Sequence, residues 1–123
     1  MEDSDVNVKK FQKEMTAGIS ALVLLSVVAE SDKPLYGYQI TKLLENDNRS
    51  ISLPKLGALY PVLRSLEKSE LLTSKVEPSF SGPPRRYYSI TENGKQTLSE
   101  WKDIWFQTSA FVNTILAGSK NNE

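Results

Sequence analysis

The stretch from Gly57 to Gly94 limits what this chain can fold into more than any other. GALYPVLRSLEKSELL is followed by a polar segment broken by prolines and a glycine, and then by RRYYSITENG. Leu59, Leu63 and Leu66 recur at helical spacing, so the first part reads as a helix. Leu71 to Glu77 and Arg85 to Ile90, the latter with Tyr87, Tyr88 and Ile90, carry strand-forming residues. The prolines and glycine of Pro78 to Pro84 predict a stiff, exposed tip between the two strands. The order is therefore helix, hairpin and the start of a further helix.

The flanking segments extend this pattern. Phe11, Met15, Ile19, Leu22 and the cluster Val23 to Val28 predict a helix over Phe11 to Ala29, with an apolar face wide enough to pack on two sides. The first eight residues are polar and are expected to fray. Pro34 breaks the pattern, and a second, short helix is expected from near Leu35, with Tyr36, Ile40, Leu43 and Leu44 on one face and an end at Glu45 to Asn48. The third helix must begin at Lys55 or Leu56, because Pro61 is tolerated only near the first turns. A final helix is expected from Thr91, a good N-cap, to about Ala117, with Glu92 favourably placed for the helix dipole. The fold class that follows is mainly α with a small antiparallel β-hairpin: a winged helix-turn-helix within residues 1–90 and a long helix with its tail in 91–123, together one compact domain.

Composition narrows the function classes. A chain of 123 residues has room for one domain, and 39% apolar with 24% charged residues is the balance of a globular protein. Cysteine and histidine are both absent. That removes disulfides, thiolate nucleophiles, most zinc sites and the usual base near neutral pH, and neither a carboxylate pair nor a Gly-rich phosphate loop takes their place. An enzyme is disfavoured, and no cofactor or metal is expected. The most apolar run, Ile19 to Ala29, is shorter than the roughly 20 residues of a membrane span, and the acidic N-terminus is no signal peptide, so a cytoplasmic protein without a membrane partner is expected. The net charge of zero hides a division. Residues 1–32 hold three basic and six acidic side chains (−3), residues 33–90 nine and five (+4), and residues 91–123 three and four (−1). The excess cation sits where a winged helix would meet phosphates.

On the third helix Gly57, Pro61, Arg64 and Lys68 point away from the leucine stripe, with Ala58 and Tyr60 on its flanks. Small residues at a helix start let the backbone approach a groove, and the free amides there favour phosphate. The same face would also suit a solvated amphipathic helix. Arg85 and Arg86 offer phosphate donors at the hairpin, or are ordinary surface arginines of a long loop. On the final helix Trp101, Ile104, Trp105, Thr108, Phe111 or Val112, and Ile115 recur every three or four residues, an apolar stripe that a monomer of this size would struggle to cover.

Three motifs in order give the chain a family likeness. They are Tyr36-Gly37-Tyr38-Gln39-Ile40, then Gly57-Ala58-Leu59-Tyr60-Pro61-Val62-Leu63 with Leu66-Glu67-Lys68, then Gly82 to Gly94 reading GPPRRYYSITENG. Over Ala17 to Ile115 the chain resembles PadR-like transcriptional regulators, of the short kind with a single C-terminal helix. The resemblance implies a homodimeric repressor. Its third helix would enter the major groove of double-stranded DNA, its wing would touch backbone or minor groove, and its N- and C-terminal helices would dimerise. Three positions depart from the family pattern. Ala58 replaces the common Thr and so removes a hydroxyl that could reach a base or phosphate. Glu70 stands where Gly usually ends the helix, leaving the cap without its best residue and setting a carboxylate near phosphates. Gln39 replaces a more usual Glu without cost.

Candidate DNA contacts are thus Tyr36, Lys55, Gly57, Ala58, Tyr60, Arg64, Gly82 and Arg85. Trp101 matches the position at which, in multidrug-responsive relatives, tryptophans of two subunits stack planar aromatic ligands. Trp105, one turn on, would add a second wall to such an effector site, or both tryptophans pack the dimer. The leading reading is a repressor of a pseudo-palindromic operator, possible release by an aromatic effector included. The alternative is a winged-helix adaptor that binds protein rather than DNA, consistent with zero net charge, Ala58 and Glu70.

Overall fold

A computed structural model describes residues 2–47 and 56–121. Lys55 lies outside the described residues. The elements in order are α1 (Glu2–Glu30), β1 (Leu35–Tyr36), α2 (Gly37–Asp47), α3 (Leu56–Lys68), β2 (Leu72–Ser79), β3 (Gly82–Ile90) and α4 (Glu92–Asn121). The strands form one antiparallel sheet in the order β1-β3-β2, so the hairpin gains a third strand from the segment before α2.

The core gathers one residue set from every element. Leu24, Leu25 and Val28 of α1 meet Ile40 of α2, the Leu59-Leu63-Leu66 stripe of α3, Leu35, Leu72 and Tyr88 of the sheet, and Leu98 of α4. Each falls where helical or alternating spacing puts an inward side chain. Pro61 sits inside α3 but faces solvent, on the side away from that stripe.

The structure corrects several expectations from sequence. The first residues do not fray, for α1 is helical from Glu2. Within Asp5–Glu30 a stretch of 18 residues reaches a mean hydropathy of 1.3, enough by length and composition to cross a membrane, although the C-terminal half of the helix belongs to the core just described. Leu35 and Tyr36 do not open the second helix; they pair with Tyr88 and Tyr87 of β3, and α2 starts at Gly37. The hairpin tip is not Pro78 to Pro84 but the two residues Phe80 and Ser81. Glu77 pairs with Arg85 and Ser79 with Gly82, so Pro83 and Pro84 together oppose the single Pro78 in a bulge. Residues that cannot donate to the ladder are accommodated where the ladder is interrupted.

Glu70 takes the cap position that glycine would usually fill. Leu71 N–H donates to the Leu66 carbonyl (2.9 Å) and Glu70 N–H to that of Glu67 (2.9 Å), the paired bonds of a Schellman cap. Glu70 itself takes the left-handed conformation, φ 66°, that a glycine would adopt more readily. The junction to α4 is tied in the same place. The Thr91 hydroxyl accepts from Gly94 N–H (2.8 Å), as an N-cap should, and donates to the Glu70 carbonyl (2.7 Å).

Candidate nucleic-acid interface

Helix α3 is amphipathic in the sense the sequence indicated. Ala58, Pro61, Arg64 and Lys68 are exposed on the side opposite the buried leucines. Gly57 lies in its first turn. Tyr60 is half-buried and packs on the start of α2: a Cβ built on Gly37 would overlap its hydroxyl and come within 2.6 Å of Cζ. The absent side chain at Gly37 is thus what lets α2 and α3 approach. At the same helix start, Tyr36 N–H donates to the Gln39 side-chain carbonyl (3.1 Å), half of a capping box in which the amide replaces a carboxylate without loss of the bond.

Tyr36 also touches the wing. Its ring lies edge-on to Tyr87 (5.3 Å between centroids) and stacks with Tyr38 (6.4 Å), while the Arg85 guanidinium sits over it at 4.5 Å. Lys42 reaches over Tyr38 at 5.5 Å. A row from α2 to β3, Lys42, Tyr38, Tyr36 and Arg85, therefore sets a pair of stacked rings between two cations. Tyr36 and Arg85, two candidate contacts distant in sequence, come together in it; Gly82 is exposed further out, beside the tip. Sequence reasoning missed Tyr38 and Lys42, whose i, i+4 spacing on a short polar helix face was the available signal.

Arg86, next to Arg85, is engaged differently. Its guanidinium donates to the Ser74 hydroxyl (2.9 Å), which in turn donates to the Glu67 carboxylate (2.7 Å). That relay fixes the wing to α3. Beneath it, burial raises the pKa of the Tyr88 phenol, with the Glu67 carboxylate adding to the rise. The protonated phenol is the stable form here, so its contribution is complete below about pH 10 and is lost as pH climbs through the raised value.

An exposed helix with a basic end, set beside a projecting β-ribbon that carries arginine, is the form of a winged DNA reader. Residues 24–100 match the profile of the transcriptional regulator PadR-like family. The chain belongs to that family. A PadR family transcriptional regulator from Eggerthella lenta shares the fold with a TM-score of 0.79 and 29% identity, over 94% of this chain and 97% of that one. An uncharacterised protein of Lysinibacillus sphaericus is 30% identical over 78% of this chain and 86% of its own length. The transcriptional regulator YqjI of Escherichia coli is 30% identical over 64% of this chain, a match that spans 35% of YqjI.

Beyond the winged part, this PadR-like chain opens a groove of about 480 Å³ between α1 and α4. Met15, Ile19, Leu22, Trp101, Ile104 and Trp105 give it an apolar lining, and Glu14 stands at its side. Trp101 is half-buried and packs against the core, whereas Trp105 is 43% exposed. The two tryptophans thus share a groove, one as part of its floor and the other on its open side. The apolar stripe of α4 is bare along Ile104, Phe111, Val112 and Ile115, and Phe106 is exposed off the stripe.

Proposed function

We propose that the protein is a homodimeric transcriptional repressor. Residues 1–90 read a pseudo-palindromic operator and residues 91–123 dimerise. Exposure of Ala58, Pro61, Arg64 and Lys68 on α3, opposite a fully buried leucine stripe, is the observation that carries the reading. A helix so mounted can enter a major groove without disturbing the core. Lys55, Gly57, Ala58, Tyr60 and Arg64 are assigned to the groove and its flanking phosphates, and Gly82 and Arg85, with Tyr36 beneath Arg85, to the backbone beside it. Tyr60, being half-buried, contributes through its exposed edge. The bare faces of α1 and α4 pair with those of a second copy, setting two recognition helices at a fixed separation. A planar aromatic effector entering between Trp101 and Trp105 would alter that separation, and binding of effector and operator would then be reciprocally coupled. Such a protein acts in the cytoplasm, without catalysis.

Fluorescence anisotropy on DNA from upstream of its own gene, titrated with salt and against a scrambled duplex, tests this reading. Selective binding that weakens steeply with salt is expected. Arg64→Ala should weaken it by roughly tenfold, the loss of one charge-assisted contact. Salt-independent or absent binding to any duplex would favour the protein-binding adaptor, and an unchanged affinity for Arg64→Ala would remove α3 from the interface.

A further inference from the structure

Two adjacent arginines on β3 have opposite circumstances. Arg86 is held by Ser74 in the relay to Glu67. The Arg85 side chain makes no hydrogen bond or ion pair among the described residues, although Glu77 is its partner across the ladder. Its guanidinium lies instead over the Tyr36 ring. Tyr36 is itself immobilised: it pairs with Tyr87 in the sheet, its N–H is bound by Gln39, and its ring meets those of Tyr87 and Tyr38. A guanidinium resting on a fixed ring face keeps its N–H edge free, and that edge is a planar fork matching two phosphate oxygens. An exposed arginine otherwise loses about 2 kcal/mol of rotamer freedom when it docks; one already stacked has lost part of it.

We infer that Arg85 is a pre-organised clamp for one backbone phosphate and that Tyr36 is its positioning residue, acting through the guanidinium, while Arg86 serves the fold alone. This rests on the DNA-binding reading and sharpens it, since it separates two neighbouring arginines by what holds each and gives Tyr36 a role other than direct contact.

The test is a double-mutant cycle on the intact dimer, with a duplex from upstream of the gene and a scrambled duplex of equal length, read as affinity against salt. Arg85→Ala should reduce the salt slope by about one for each subunit, about two for the dimer, on both duplexes. Tyr36→Leu should keep the slope but weaken binding about two- to fivefold for each subunit, the range of a cation–π contact, and should cost nothing further in the Arg85→Ala background. Tyr36→Phe, which keeps the ring, should keep the coupling to Arg85 that Tyr36→Leu loses. Arg86→Ala should lower the melting temperature and leave the slope unchanged. If Tyr36→Leu also loosens the fold, Arg85→Lys decides: its charge preserves the slope, but loss of the planar fork costs the same two- to fivefold. An unchanged slope for Arg85→Ala, an equal loss for Tyr36→Leu in both backgrounds, or full affinity for Arg85→Lys overturns the inference while DNA binding stands. A wild type without salt-dependent binding overturns the functional reading and this inference together.

Discussion

In the winged part of the molecule Leu35, Ile40, Leu59, Leu63, Leu72 and Tyr88 are at most 7% exposed, whereas Ile104, Phe106, Phe111, Ile115 and Leu116 of α4 stand at 56% to 65%. Helix α1 contains both conditions, with Leu24, Leu25 and Val28 buried and Val6, Val8, Phe11 and Met15 exposed. The winged part buries its central apolar residues within the chain and leaves only scattered ones such as Phe80 and Val76 exposed; α4 leaves a continuous row of them in water. Burial of a large aliphatic side chain is worth about 1.5–3 kcal/mol, so the second region holds unrealised stabilisation that another surface can supply. The winged part folds on tertiary contacts, and the bare faces of the two long helices are the surface on which the proposed dimer would form.

The largest effect should come from attacking the second region. Trp105→Glu combined with Ile115→Glu should weaken self-association about a hundredfold or more, as expected for losing two central anchors, while the winged core keeps its cooperative unfolding. Sedimentation equilibrium with thermal unfolding reads both. A wild type that is monomeric at all concentrations would break the comparison, and the face would need a different cover.

A smaller effect of opposite sign should come from one kind of substitution made where a long helix packs on the winged part and where it is bare. At Gly94 an added Cβ would overlap the Leu71 carbonyl oxygen and lie 2.7 Å from Ile90 Cγ1, so Gly94→Ala should cost about 1–3 kcal/mol by overpacking. At Gly18 in α1 an added Cβ meets nothing within 4 Å, and the helix should gain about 0.5–1 kcal/mol. Denaturant unfolding of both variants at equal protein concentration provides the check. If Gly18→Ala instead loosens the dimer, the partner helix approaches closely at that glycine.

The stability of each region was unequally legible beforehand. The leucine stripe of α3, the Thr91 cap and the bare stripe of α4 follow from spacing and side-chain chemistry, and all are found in place. Strand β1 could not be read, because two residues become a strand only when the open edge of β3 is beside them. The hairpin was read too short, because Pro78, Pro83 and Pro84 individually forbid a ladder bond and only their opposition across a bulge permits both strands to continue. In the site, Arg85 alone is a candidate contact from sequence, but what separates it from Arg86 was invisible for a similar reason: successive strand residues point to opposite faces, and Ser74 and Tyr36 occupy those faces from distant parts of the chain. Local pattern identifies elements; their far-separated partners decide which polar side chains are free.

The smallest effect concerns the joint between the two regions. Glu70 occupies the left-handed cap position at φ 66°, where a residue with a Cβ pays about 1–2 kcal/mol that glycine does not. Yet its carbonyl accepts from Thr91, and the two Schellman bonds beside it are short, so the backbone there is fixed by several partners whatever the side chain. Glu70→Gly should therefore stabilise the folded chain by up to about 1 kcal/mol, the relief of strain being partly offset by the freer unfolded glycine. It should also strengthen DNA binding slightly at low salt, since it removes a carboxylate near the wing and α3. Urea unfolding and anisotropy at two salt concentrations separate the two effects. A gain in stability without any change in affinity would place Glu70 outside the field of the DNA; a loss of stability would mean that the carboxylate has a partner of its own in solution, and that the joint is held by the side chain as well as by the backbone.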